Sequence, residues 1–148
     1  MVAITIDLSE LTNLREKLMK LQDPEYLLRP VCLGLMDLMT YRIHNKGQDA
    51  LDEQIGTYNK SYLKYVRVKK WNRTSDQTII VSLTKALEND WTVTPTEFGY
   101  GLGFKNAFSL QKARWVEIIK RKEIFTMTIS EQKYSEDYIS DLVTQALQ

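Results

Sequence analysis

The stretch "WTVTPTEFGYGLGF", residues 91–104, decides the fold, because its side chains alternate at a period of two on both sides of a turn at Pro95-Thr96. This period places neighbouring side chains on opposite faces of a strand. We therefore predict a β-hairpin over residues 91–104. In its second arm, the large residues should face the core (Phe98, Tyr100, Leu102, Phe104), and the glycines should lie on the other face (Gly99, Gly101, Gly103).

The glycine spacing argues against a phosphate-binding loop. Such a loop reads G-x-G-x-x-G between a strand and a helix, or carries a Lys-Ser or Lys-Thr pair, and neither pattern is present around Gly99. A glycine face instead allows another backbone or a flat ring to approach closely. We expect that neighbour to be a strand or helix of the same domain, or the next subunit of an assembly.

Helical patterns surround the hairpin on both sides. Leucines from Leu11 to Leu21 predict a first helix. A second should begin at Asp23-Pro24 and end at Asn45-Lys46-Gly47, a third should run from Asn106 to about Lys122, and a last one should begin near Ser130. Short strands are predicted at 2–8, 78–83 and 124–128.

These elements predict a single α+β domain over residues 1–148. A small, mostly antiparallel sheet should pack against N-terminal, central and C-terminal helices. A long, partly ordered loop is expected at about 45–77, where the periodicity fades.

Composition and residue types give little support to an enzyme. The chain has 148 residues, is 43% hydrophobic, carries a net charge of +1, and has no apolar run near the ~20 residues of a membrane span. No secretory signal is expected at the start of the chain. Cys32 and His44 lie about three turns apart on one predicted helix, so the two side chains should not meet.

A carboxylate enzyme remains a further alternative. Asp49, Asp52 and Glu53 would then hold a divalent ion, although the calcium-loop spacing of an EF-hand is missing. A solvated loop at the end of the helix is the simpler interpretation. We expect no metal, no cofactor and no catalytic residue.

A basic and aromatic stretch lies between Gly56 and Ser75, with no acidic residue among its members. The candidate contact residues are Tyr58, Lys60, Tyr62, Lys64, Arg67, Lys69, Lys70 and Trp71, with Arg73 close behind. Such residues can hold a nucleic-acid backbone while their rings stack on bases. They can equally form a solvated loop or meet acidic groups of a neighbouring subunit. The balanced total charge favours these two interpretations over nucleic-acid binding.

The order of four motifs resembles the tail-completion, or head–tail joining, proteins of tailed bacteriophages, also called the virion morphogenesis family. The motifs are Tyr41-Arg42-Ile43-His44, "IGTYNKSYLKYVRVKKW", "IIVSLTKALENDW" and "KARWVEIIKRKEIFTMTISEQKY". Two positions depart from the family pattern. Lys85 stands where a glycine is usual, and Lys122-Glu123-Ile124 stands where a proline is usual.

This resemblance implies a structural role without catalysis. Proteins of this kind form or join rings between the capsid portal and the tail, so the implied partners are further copies of the chain and other phage head or tail proteins. A contact with the DNA backbone is possible, whereas a membrane or a small-molecule substrate is not implied. The implied location is the virion, assembled in the cytoplasm of the host bacterium.

Overall fold

The computed structural model describes residues 9–82 and 85–148, and shows an α+β fold. The strand expected at 2–8 lies outside the described residues. The elements are α1 (Ser9–Gln22), α2 (Pro24–Tyr41), α3 (Lys60–Tyr62), α4 (Ala86–Asp90), β1 (Trp91–Thr96), β2 (Gly99–Phe104), α5 (Ala107–Lys120) and α6 (Ile129–Leu147). Two π-helical turns, Arg42–Lys46 and Leu63–Val68, continue α2 and α3.

Helix α2 is the central element. It begins where the sequence predicts, and the π-helical turn that continues it ends at the predicted Gly47. The Asp23 carboxylate accepts a hydrogen bond from the backbone N–H of Glu25, and Pro24 occupies the first helical position. Its buried face carries Val31, Leu35 and Met39. The π-helical turn that follows ends at Gly47, whose φ of 67° suits a residue without a Cβ.

The hairpin of β1 and β2 is confirmed. The strands pair antiparallel from Trp91 opposite Phe104 to Thr96 opposite Gly99. The rings of Trp91, Phe104 and Phe125 pack with centroid separations of 4.9, 5.8 and 5.4 Å. They cover a core built from α2, its π-helical turn and three isoleucines of other segments: Leu35, Met39, Ile43, Ile55, Ile79 and Ile124.

A buried ion pair joins α2 to α6. Nε of Arg42 donates to Oε1 of Glu131 at 2.8 Å, and both side chains are almost fully buried. The other oxygen of Glu131 accepts from the backbone N–H of Thr128, whose hydroxyl caps the helix in return. This capping box explains why α6 begins at Ile129.

The strands predicted at 78–83 and 124–128 are wrong for the part of the chain that the structure describes. Thr78 makes one isolated bridge with Thr57, and residues 124–128 form a loop. In that loop, Glu117 accepts from the N–H groups of Ile124 and Phe125. Guanidinium N–H groups of Arg42 donate to carbonyls of the same loop. Side chains therefore satisfy the backbone groups that a neighbouring strand would otherwise pair.

The segment 45–77 is partly ordered and contributes to the core. It includes α3 and the π-helical turn that follows it, and it buries Ile55, Leu63 and Arg67. Its first turn is closed by Asp49, whose carboxylate accepts from the backbone N–H groups of Leu51 and Glu53. A periodicity argument misses this order because the buried residues are single side chains, separated by polar ones.

Candidate functional site

The basic and aromatic stretch is divided by the structure into a buried and an exposed part. Arg67 is only 2% exposed, and its guanidinium donates to the carbonyl of Ser82 at 2.6 Å and to the hydroxyl of Tyr58 at 2.9 Å. The same guanidinium lies 4.3 Å from the Tyr58 ring centre. Arg67 therefore holds the π-helical turn Leu63–Val68 against the segment at Ser82, and its guanidinium is not free to contact a phosphate.

Tyr58, which contacts Arg67, also packs against Tyr62. Their ring centroids lie 5.6 Å apart, and the Tyr58 hydroxyl also accepts from the backbone N–H of Ile80. Burial raises the pKa of Tyr58 above its ordinary value, in spite of the nearby Arg67 cation. Both tyrosines therefore contribute to packing within the domain, and Tyr62 remains partly exposed.

The remaining candidate residues of the stretch lie at the surface: Lys60, Lys64, Lys69, Lys70 and Trp71. The ammonium of Lys64 lies 5.2 Å from the Tyr65 ring centre, and that of Lys70 lies 5.7 Å from the Trp71 ring centre. These cation–π contacts place a charge beside a ring, once on the π-helical turn Leu63–Val68 and once in the turn that follows it. This exposed set can contact an anionic partner. Arg67 is not part of it, because its side chain is buried.

An open pocket of about 460 Å³ lies between this segment, α4 and α5. Its walls are mainly apolar and include Ile79, Trp115 and Ile119. Four cationic residues line it, and no acidic residue is among its described lining residues: Arg67, Lys85, Lys112 and Lys120. We call this the basic pocket. Nε of Arg67 is buried and has no hydrogen-bond partner among the described residues, which is unusual for a charged donor.

Large apolar side chains are exposed on two helices. On α1 they follow one another at helical spacing: Leu11, Leu14, Leu18 and Met19. On α5 they include Trp115 and the adjacent pair Ile118 and Ile119, which are 70% and 74% exposed. Single exposed apolar residues are ordinary, but contiguous faces of this kind usually mark an interface.

The tip of the hairpin exposes a further aromatic residue. Phe98 was expected to face the core but is 89% exposed, because it occupies the two-residue turn rather than the strand. Tyr100 leaves the core as well, since its hydroxyl hydrogen-bonds to Glu25. Leu102 and Phe104 pack against the core as predicted.

The glycines of β2 differ in what lies beside them. A Cβ added at Gly99 would lie 2.5 Å from Cδ1 of Leu28, and Gly99 has a φ of 139°. Gly101 and Gly103 have only threonines of β1 at ordinary contact distance among the described residues. The close approach that we expected for all three glycines is therefore seen only at Gly99, against α2.

Two of the three acidic residues that were considered as metal ligands, Asp49 and Glu53, bind a lysine in the structure. Lys122 donates to Asp49 at 2.7 Å and to Glu53 at 3.1 Å. Burial alone would raise the pKa of Asp49, but hydrogen bonds from Lys122 and two backbone N–H groups hold it below its ordinary value. Within residues 9–82 and 85–148, no group of three His, Cys, Asp or Glu side chains is placed to hold a metal ion.

The sequence interpretation missed the α5 surface and the basic pocket. A signal was present in residues 107–120, where apolar side chains occur on more of the helix circumference than one buried face needs. The pocket itself has no local signal, because its cationic residues come from separate parts of the chain.

The chain was compared with protein-family models, with curated proteins and with solved structures, and none of them matches it. Among the described residues, no helix has both the length and the apolar character needed to cross a bilayer.

Proposed function

We propose that the chain is a structural subunit without catalytic activity, which assembles with further copies of itself. The observation that carries this proposal is the set of exposed apolar faces on α1, α5 and the hairpin tip. Association would remove these apolar faces from water.

We further propose that this assembly joins the capsid portal to the tail of a tailed phage or prophage, within the virion. The support is the resemblance carried by the four ordered sequence motifs. Two of them contain the buried arginines of the fold, Arg42 and Arg67, each of which ties together segments distant in sequence. Motifs that include such residues are reasonable markers of a shared fold.

The proposal is tested by electron microscopy and by association with virion proteins. Negative-stain images of the concentrated protein should contain rings or larger assemblies. Mixed with portal and tail proteins of a phage whose genome encodes this chain, the protein should co-elute with at least one of them. A protein that remains monomeric and binds none of them would refute the structural role.

A nucleic-acid-binding module is the second candidate, favoured by the exposed lysines beside Tyr65 and Trp71. The variant Lys64→Glu/Lys69→Glu/Lys70→Glu should then abolish DNA binding measured by fluorescence anisotropy. Arg67 is left intact because it is buried. If three phosphates are contacted, the log–log salt slope for duplex DNA should be about −2.7. The matched control is Lys20→Glu/Lys105→Glu/Lys133→Glu, which reverses three exposed lysines outside the stretch. Absence of binding at low salt would exclude this candidate.

A further inference from the structure

The hairpin tip and the basic pocket lie at opposite ends of the hairpin. The tip is the turn between Thr96 and Gly99, while the pocket is lined by α4, which directly precedes β1, and by α5, which follows β2. Six strand residues at about 3.3 Å each separate the two ends by about 20 Å. The tip of one molecule therefore cannot reach its own pocket, but it can reach that of another.

The two ends have opposite charge. Glu97 precedes Phe98 at the tip, and a shallow groove beside it is lined by Asp23 and Glu25. Arg29, which pairs with Glu25 at 3.3 Å, offsets one of these charges. The basic pocket at the other end has four cationic residues and no acidic residue in its described lining.

The two ends are also matched in shape and polarity. Phe98 projects from the tip with 89% of its surface exposed. The pocket offers about 460 Å³ between largely apolar walls, including the ring of Trp115. A phenyl ring fits this volume, and an aromatic pair inside a partly desolvated pocket is typical of interface hot spots.

We infer, on the premise of the assembly proposed above, that Phe98 and Glu97 of one copy insert into the basic pocket of the next. Phe98 packs against Trp115 and Ile119, while the Glu97 carboxylate meets the cationic residues of the pocket. Because tip and pocket are different surfaces, the contact is head-to-tail and generates a ring when the rotation closes.

The experiment uses two variants of the full chain in sedimentation velocity. The tip variant is Glu97→Lys/Phe98→Ala, and the pocket variant is Lys112→Glu/Trp115→Ala. Both change side chains at or near the surface, so circular dichroism should show an unchanged fold. Each variant alone should bind itself at least tenfold more weakly than the unaltered chain. The control Leu51→Ala removes an apolar side chain of similar exposure elsewhere and should assemble normally.

Mixing the variants tests the pairing itself. An intact pocket on the tip variant can accept the intact tip of the pocket variant, so the mixture should form dimers and nothing larger. The charge exchange Glu97→Lys with Lys112→Glu in one chain should recover part of the lost association. A tip variant that assembles like the unaltered chain, or a mixture without dimers, would overturn this inference and leave the assembly proposal standing. A strictly monomeric unaltered chain would overturn both.

Discussion

Replacing Glu131 by alanine should strongly destabilise the fold. Glu131 is 5% exposed and has two functions in the structure. One carboxylate oxygen neutralises Arg42, and the other accepts from the backbone N–H of Thr128 in the capping box. Arg42 in turn donates to the carbonyls of Gln48, Ile124 and Thr126, so its position fixes the loop before α6.

The expected decrease in the free energy of unfolding follows from the two interactions that Glu131→Ala removes. Leaving one partner of a buried ion pair uncompensated costs about 3–5 kcal/mol, and the hydrogen bond that the backbone N–H of Thr128 loses is worth about 1 kcal/mol. Because domains of this size have a free energy of unfolding of about 5–15 kcal/mol, the variant should be close to unfolded or have a much lower urea midpoint. Glu131→Gln retains an oxygen for the cap, so its effect should be smaller.

Urea unfolding followed by circular dichroism measures the free energy of unfolding of Glu131→Ala and of Glu131→Gln. The control is Glu136→Ala on the same helix, whose exposed side chain accepts a hydrogen bond from Gln132. Its free energy of unfolding should stay within about 0.5 kcal/mol of the unaltered chain. If Glu131→Ala were as mild as this control, the ion pair would not hold α2 and α6 together.

Further predictions concern the hairpin glycines and two buried side chains. Gly99→Val should lower the free energy of unfolding, measured in urea, by about 1–3 kcal/mol, because Gly99 has a positive φ and lies against Leu28. For Gly101→Val, the free energy of unfolding should stay within about 1 kcal/mol of that of the unaltered chain. Arg67→Met should cost about 2 kcal/mol in the same assay, since a buried carbonyl loses its donor; no loss would show that Arg67 is dispensable. Burial lowers the pKa of His44, so the unfolded state takes up the proton first. Stability should therefore fall as the pH drops below about 6.5, and His44→Asn should remove that dependence; an unchanged pH profile would contradict the burial argument.

The elements with local sequence signals were predictable. The hairpin at 91–104 follows from the period of two, and α2 follows from Asp23, Pro24 and Gly47. Helix α5 begins directly after Asn106, whose side chain accepts from the N–H of Phe108. Each of these signals acts within a few residues, so the sequence alone is sufficient to recognise it.

The two strand predictions failed because long-range side chains decide the backbone pairing. Residues 124–128 are β-prone, yet their backbone groups are satisfied by Arg42, which is more than 80 residues away, and by Glu117 of α5. The exposure of Phe98 also depends on where the turn falls, and a shift by one residue reverses the face of a side chain. Local patterns contain neither kind of information.

The candidate site was predictable only in part for the same reason. The sequence identifies the cationic residues of 60–73, but it cannot separate the buried Arg67 from the exposed Lys64 and Lys70. The basic pocket brings together Lys85, Lys112 and other residues that are separated along the chain. Tertiary packing alone creates that surface.

Sedimentation velocity of the unaltered chain over a wide range of concentrations tests self-assembly most directly. We predict a shift from the monomer to a discrete larger species as concentration rises, because the exposed apolar faces of α1, α5 and the hairpin tip become buried. A single monomer peak at every concentration would contradict the central claim that this chain is an assembly subunit.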